Sequence, residues 1–484
     1  DGNLSITTTV SAGETNSLQV AASLSTNTVW DTVGTVIAGG LPVQAEWTVS
    51  PTNDVQLFRL VGSGCWLTGV VTDSANPPGQ PISNAWVTVM QADGEATVME
   101  AATDAQGRFV LWLSDDVDID SGFLAVSVSA DSYRPREINV LASETNSVQL
   151  SLENTFTYYE PVLLNDGIQT GSFNDSNLDT NLINQLMVKT VQPGAGGYTE
   201  LHSLLIYKDG YLVVEEYYEG NNDYIDFEGG ILRKVGDPSQ LQWGRTNRHY
   251  LASVNKSLTA TVAGIAFDQF GYTPTNFIAP LLPDEAAYFT DPNKAAVTLH
   301  DMLTMQLGFV WDEWGSNDLV LLWQSTNFTE FVLSRNNNGP QSSWKYNSAS
   351  PNMLLKGLDN MVPGTIRDWA HTNFYSRLGI TDYDWQSQPD GLPEGAARMH
   401  MRPRDMLKVG ITYLDNGVWG DEQVIPTNWV HEVSTVQVNG PAGDYSYFFW
   451  MRELNGANYI SADGDGGQYI NIFPDQNMVI VMTQ

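Results

Sequence analysis

A change of texture near residue 155 constrains this chain more than any other feature. Before it, the sequence runs in short alternating stretches such as "LSITTTV" and "SLQVAASL", separated by clusters of Gly, Pro, Asn and Asp. No lysine occurs before Lys189. Alternation with a period of two, punctuated by turn residues, predicts strands of an all-β unit. After about residue 155, helical patterns appear beside strands. The full 484 residues are too many for one ordinary core. The expected fold class is therefore multidomain: N-terminal all-β sandwich modules over 1–62 and 63–152, then an α+β domain over 155–484.

The charge balance narrows the partners. There are 56 acidic against 22 basic residues, a formal net charge of −34. Such a surface repels phosphates and anionic lipid, which argues against nucleic acid and membrane surfaces as partners. It suits a generic acidic extracellular protein and, equally, a salt-adapted bacterial or marine one, since salt screens self-repulsion. Cys65 is the single cysteine, so no intrachain disulfide can form. Histidines at 202, 249, 300, 371, 400 and 431 show no metal-ligand spacing, and no metal or cofactor is expected. No apolar run reaches the length of a membrane span. The chain starts at Asp1 without Met, which fits removal of a leader. A secreted, periplasmic or cell-surface location is expected from the module content.

Within the second half, "HSLLIYKDGYLVVEEYY" predicts a β-hairpin turning at Lys208-Asp209-Gly210. "SLTATVAGIAFDQFG" predicts a buried helix stopped by Gly271, and "RPRDMLKVGITYLDNG" a second one ending near Gly417. S-x-x-K occurs twice, at Ser253–Lys256 and Ser342–Lys345. A single S-x-x-K is a weak signal, so context separates the two. The first opens the buried helix. Its i,i+3 spacing puts both side chains on one face, and the helix start offers unpaired N–H groups and a positive dipole end. Burial and that positive end both disfavour an ammonium, and a neutral Lys256 can take the Ser253 proton. Ser253 is equally good as a plain helix N-cap. The second pair sits in a Ser/Asn/Pro-rich loop, where its lysine is expected in solvent.

The same loop continues "WKYNSASPNMLL". Tyr346, with Asn347 and Ser348 before an apolar helix start, either presents a phenol to a cleft or packs half-buried. Near the end, "YISADGDGGQYINIFP" places a Gly-rich turn, Gly464 to Gly467, between two alternating runs. Glycines there allow close approach to a ligand, or simply make a hairpin. No G-x-S-x-G elbow and no phosphate-binding loop occurs.

Two resemblances follow from these segments. Over 66–152, "WLTGVVTD", "NAWVTV" and "TDAQGRF" resemble the carboxypeptidase-regulatory-like, transthyretin-like β-sandwich module, which implies a spacing or adhesion role. Over about 200–484, the hairpin, "LASVNKSLTATVAGIAFDQFG", "VTLHDMLTMQLGFVWDE", "YNSASPNMLL", "RPRDMLKVGITYLDNGVWGDEQVIPTNWV" and "DGDGGQYINIFP" together resemble the serine β-lactamase-related family. That family includes class C β-lactamases, family VIII carboxylesterases, D-Ala-D-Ala peptidases and 6-aminohexanoate-oligomer hydrolases. The Y-N-S form and the "PRDMLKVG" helix look closest to the aminohexanoate-hydrolase and esterase branch.

The resemblance implies a β-lactamase/transpeptidase-like fold, an antiparallel sheet flanked by helices with a helical lobe closing the cleft. It implies Ser253 as nucleophile with Lys256 and Tyr346 as general base and acid. An oxyanion hole of the Ser253 amide and a strand amide near Gly467 or Gln468 is implied as well, with Gly466 and Ser348 near the substrate. Three departures stand out. "DGDGG" replaces the family's usual Lys-Thr-Gly or His-x-Gly, and Asp463 and Asp465 there are expected to repel a β-lactam carboxylate. Gln306-Leu307 stands where Thr-Ser is common. The chain stops at Gln484, where the family usually adds a C-terminal helix, which points to truncation.

The expected function is a serine hydrolase cleaving a small-molecule or oligomeric ester or amide through an acyl-enzyme. The rivals are a non-catalytic binding protein on the cell surface and a β-lactamase or D-Ala-D-Ala peptidase. The N-terminal modules are expected to serve surface attachment or oligomer contacts. Trp311, Trp314 and Trp323 lie where they either line a cleft or pack a core.

Overall fold

The computed structural model describes residues 67–74, 79–89, 99–111, 124–131, 133, 135–140, 146–150, 158–191, 201–220 and 242–484 with their side chains, and elsewhere the backbone course of strands alone. The chain divides into two compact units. One comprises Asp1–Thr157 with Val162–Asn165, the other Tyr158–Pro161 with Asp166–Gln484. The side chains of 1–62, expected as a separate β-rich module, lie outside the described residues.

The first unit contains seven strands after residue 64: β1 (Cys65–Asp73), β2 (Trp86–Met90), β3 (Thr97–Ala102), β4 (Arg108–Leu113), β5 (Phe123–Ala130), β6 (Tyr133–Leu141) and β7 (Thr145–Leu150). They form a four-stranded sheet in the order β6-β5-β2-β3 and a three-stranded sheet in the order β7-β1-β4. The two sheets bury one common core. Leu67, Val71, Phe109 and Val148 come from one sheet, and Val87, Val89, Val126 and Val128 from the other. The period-two alternation thus does what it predicts: Ala85, Val87 and Val89 are all sealed from solvent. Asp104 closes the turn before β4, its carboxylate accepting from the amides of Gln106 and Arg108. Segment 162–165 joins this unit because Val162 and Leu164 pack on Ala125, while Asn139 exchanges hydrogen bonds with the Leu163 backbone.

The second unit is built on an eight-stranded sheet, antiparallel throughout. Its strands are β8 (Ser203–Lys208), β9 (Tyr211–Tyr217), β10 (Val438–Gly440), β11 (Gly443–Tyr445), β12 (Trp450–Leu454), β13 (Ala457–Gly464), β14 (Gln468–Phe473) and β15 (Met478–Thr483). The order is β9-β8-β15-β14-β13-β12-β11-β10, so the first hairpin pairs with the last strand of the chain. That hairpin turns where expected, at Asp209 and Gly210, both with positive φ, as a tight two-residue turn requires. One face of the sheet, with Ile460, Ala462, Ile470, Ile472, Val479 and Val481, is buried. The alternating Tyr469, Asn471, Ile480 and Met482 are half-buried.

Beyond α1 (Thr180–Val191), three helices organise the interior: α2 (Val254–Phe270), α3 (Ala349–Met361) and α4 (Pro403–Leu414). Helix α2 is buried on every side from Val254 through Phe267, its apolar residues packing in the core and its polar Asn255, Lys256, Ser257, Thr259 and Thr261 each finding a hydrogen-bond partner. It ends on Gly271 in the left-handed region. Short helices between 279 and 378 pack with α3 against it as a helical lobe. Helix α4 lies on the sheet at Gly410, close to Val479 and Ile470. Its Arg404 is buried between Glu215 at 2.8 Å and Asp166 at 2.7 Å, tying the helix to β9. Both carboxylates push that guanidinium further toward its charged form, against the opposing cost of burial. Among the described residues no helix is long and apolar enough to cross a membrane.

Helix α2 has room for nothing larger than hydrogen at Gly264, where a Cβ would come within 2.2 Å of the Trp429 ring. Gly264→Ala is expected to destabilise the protein by about 1–3 kcal/mol despite alanine's better helix propensity, read as a lower midpoint in urea unfolding. An unchanged midpoint contradicts this packing.

Candidate active site

Ser253 is positioned from both sides. The short strand His249–Tyr250 pairs with Met399–Met401, and the Leu251 amide donates to the Met399 carbonyl at 2.8 Å. Ala252 then takes a φ of +45°, a strained value for a residue with a side chain. The chain turns there, so that Ser253 stands at the mouth of α2. Ser253 occupies the N-cap position, yet its hydroxyl makes no capping hydrogen bond. Its N–H finds no acceptor among the described residues.

The hydroxyl is engaged elsewhere. Lys256 Nζ lies 2.9 Å from Ser253 Oγ and donates to the Ala396 carbonyl at 3.1 Å. Lys256 is 2% exposed, so its amine has traded water for these two oxygens. Tyr346 meets the lysine with its ring, whose centroid is 4.9 Å from Nζ. That ring stacks on Trp450 at 6.0 Å. The phenol hydroxyl has no hydrogen-bond partner among the described residues. The second S-x-x-K lies apart from this cluster: Ser342 and Lys345 are exposed in a loop, as expected.

These groups open on a cavity of about 430 Å³. Ser253, Lys256, Ser348, Gly466 and Gln468 line it. Tyr346 and Gly467 do not, and the Gly467 amide is committed to the Gly464 carbonyl at 3.3 Å. The glycine turn approaches closely because Gly464 has no Cβ, which would fall 2.3 Å from the Leu251 carbonyl. The two aspartates of "DGDGG" differ. Asp465 lines the cavity. Asp463 instead is paired with Arg452 and accepts from Ser461, so the expectation that both repel a substrate carboxylate is corrected to Asp465 alone. Trp314 and Trp323 line the cavity with Leu319 and Val320, whereas Trp311 is buried with its indole N–H on Glu313.

Several cavity residues were not foreseen from the sequence. Glu313 is 5% exposed and accepts from Ser348 Oγ at 2.5 Å, the Ser348 amide at 3.0 Å and Trp311 Nε1 at 2.7 Å. It thereby holds the loop that follows Tyr346. The cavity is also lined by a three-ring cluster: Trp243 stacks on His202 at 4.6 Å and on His249 at 4.1 Å, and the two imidazoles are 5.5 Å apart. These residues come from separate segments, and nothing in their spacing signals the stack. Burial holds the Tyr250 phenol well above its ordinary range. It also pushes the His249 imidazole well below its usual 6.5, with His202 and His400 adding to the effect.

A serine and lysine sharing one turn of a buried helix, beside an antiparallel sheet and under a helical lobe, define a β-lactamase-like hydrolase fold. The beta-lactamase family model matches residues 180–484, and the chain belongs to that family of β-lactamase-fold serine hydrolases. It is 24% identical over 262 residues to the 6-aminohexanoate-dimer hydrolase of Paenarthrobacter ureafaciens, covering 49% of this chain and 65% of that protein. It thus spans just under two thirds of that relative's length. Among solved structures, a penicillin-binding protein homologue from Pyrococcus abyssi, described as octameric, is 14% identical with a TM-score of 0.48, covering 63% of this chain and 73% of that one. A family VIII carboxylesterase is 14% identical with a TM-score of 0.46, covering 60% and 87%.

The His249 shift has a consequence for stability. A histidine kept neutral in the fold does not take up the proton that the unfolded chain binds below about 6.5. Stability is therefore expected to fall as pH drops below that value, by up to about 1.4 kcal/mol per unit from this group. Urea unfolding between about pH 5 and pH 7.5 is expected to show the slope in the wild type and a flatter one in His249→Asn. Equal slopes contradict the assignment.

Proposed function

We propose that this chain is a serine hydrolase that cleaves an ester or amide through an acyl-enzyme on Ser253. The observation that carries the reading is Lys256 Nζ at 2.9 Å from Ser253 Oγ, on the wall of a cavity of about 430 Å³. Ser253 Oγ attacks the substrate carbonyl carbon while its proton passes to the Lys256 amine. The tetrahedral oxyanion accepts from the Ser253 N–H and, with the Gly467 amide committed, from the Gln468 amide. Collapse breaks the bond to the leaving alcohol or amine, which takes the proton held by Lys256; the Tyr346 ring, 4.9 Å from Nζ, covers the amine, and its phenol makes no hydrogen bond along this route among the described residues. Water then attacks the acyl-enzyme, gives up a proton along the same route and releases Ser253 and the acid.

The substrate preference follows from the cavity's charges. Among the described residues that line it, Lys256 is the only lysine or arginine, while Glu313 and Asp465 are both there. A β-lactam or a D-Ala-D-Ala peptide brings a carboxylate that needs a cation. Esters and amides without an anionic group near the reacting carbonyl avoid that conflict. The wall of Trp314, Leu319, Val320 and Trp323 suits apolar or oligomeric chains. The N-terminal unit is read as a carboxypeptidase-regulatory-like sandwich that spaces or attaches an exported enzyme at the cell surface. The common core of its two sheets supports that reading.

Ser253→Ala is expected to lower hydrolysis of short p-nitrophenyl esters by roughly 10⁴-fold or more and to abolish covalent labelling by a serine-directed phosphonate. Nitrocefin turnover is expected to lag ester turnover by about 100-fold or more, the weight of one unmet carboxylate. Undiminished labelling of Ser253→Ala overturns the nucleophile. Fast nitrocefin turnover reverses the substrate preference. A folded protein that turns over no ester or amide in a broad screen leaves the binding-protein alternative.

A further inference from the structure

One turn of chain, residues 394–398, lies against the start of helix α2. Three consecutive carbonyls of this turn face the helix. The Glu394 carbonyl accepts from Asn255 Nδ2 at 2.7 Å, the Gly395 carbonyl from Thr259 Oγ1 at 2.8 Å, and the Ala396 carbonyl from Lys256 Nζ at 3.1 Å. The helix thus reads the turn with three side chains from its first two turns, and the lysine is one of them.

The turn is curled around the Glu394 side chain, which is fully buried. Glu394 Oε2 accepts from the amides of Ala396 at 3.0 Å, Ala397 at 2.6 Å and Arg398 at 2.9 Å. Its Oε1 accepts from Asn352 Nδ2 at 2.7 Å. Asn352 also donates to the Ser348 carbonyl at 2.8 Å and receives the Gly395 amide at 2.8 Å. One carboxylate therefore ties together the turn and the start of α3, where the loop carrying Tyr346 ends. A buried charge with four donors is costly to replace and sharply oriented.

We propose that Glu394 is a positioning residue for the Ser253–Lys256 pair: its carboxylate shapes the 394–398 turn so that the Ala396 carbonyl holds the Lys256 amine against Ser253 Oγ. The inference rests on Lys256 acting as the base for Ser253. A neutral amine has two N–H bonds and one lone pair. With one N–H donated to Ala396, the amine can turn its lone pair to the serine proton, and after transfer the ammonium keeps both acceptors. Without the fixed carbonyl the amine is free to rotate away, and the loss falls on the rate of proton transfer rather than on substrate binding.

The test compares wild type, Glu394→Gln and Glu394→Asp in two measurements: kcat and KM on a p-nitrophenyl ester, and the rate of Ser253 labelling by diisopropyl fluorophosphate against pH. Gln keeps the volume but can direct an NH2 group at three amides, and Asp keeps the charge but withdraws it by one methylene. Glu394→Gln is expected to lower kcat by about 100-fold with KM within about twofold. The acid limb of its labelling profile is expected to move to lower pH, because the ammonium loses an acceptor and a nearby negative charge. Glu394→Asp is expected to lower kcat less, again at constant KM, and is read alone if the Gln variant does not fold. A folded variant with wild-type kcat and labelling profile, or one that loses only KM, overturns the inference. A wild type that the reagent does not label overturns the hydrolase reading itself and this inference with it.

Discussion

A lysine amine taken almost completely out of water must be given acceptors, and the second unit is arranged around that requirement. At Lys256 the acceptors are Ser253 Oγ and the Ala396 carbonyl. The first is available because Ala252 turns the chain with a positive φ immediately before the helix. The second is available because the 394–398 turn is folded over its own glutamate. The ring of Tyr346 covers a further side of the amine, an electrostatically favourable surface for a cation. Each support comes from a different part of the chain, so the pair exists only in the folded unit.

The same economy of charge governs the cavity. This is an acid-rich chain, and several carboxylates around the cavity and the sheet are met by donors. Glu313 is held by Ser348 and Trp311, Glu394 by three amides and Asn352, and Glu215 with Asp166 by Arg404. Asp463 has Arg452. Asp465 alone of these stands exposed on the cavity wall. The described lining thus combines an apolar wall with two carboxylates, Glu313 and Asp465, while the lysine amine is engaged with the serine.

Periodicity carried the legible part of the fold. The alternating Ala85, Val87 and Val89, the Asp209-Gly210 turn and the stop of α2 at Gly271 were all readable, because each is a local matter of period, turn chemistry or capping. The proximity of Ser253 and Lys256 was readable for the same reason, as i and i+3 on one helix share a face. Tyr346 was singled out from its loop, with a role implied only by resemblance, and its contact with Lys256 is by ring face, with the ring stacked on Trp450. Asp463 and Asp465 looked alike in sequence. Asp463 lies on β13 and Asp465 in the turn after it, so that one met Arg452 and the other met the cavity. Glu313, Glu394 and the His202–Trp243–His249 stack carried no spacing signal at all. Their partners lie up to tens of residues away, on elements whose pairing no local rule specifies.

What could be known before folding was therefore everything decided within one turn of helix or one strand pair: the two textures of the chain, the nucleophile-type pair and the glycine turn. Tertiary structure decided which carboxylates are neutralised, which carbonyl holds the lysine and which aromatic rings wall the cavity. The reason is that hydrogen-bond partners and dielectric are properties of what surrounds a group. In this unit those surroundings are assembled from segments as far apart as His202 and Gln484.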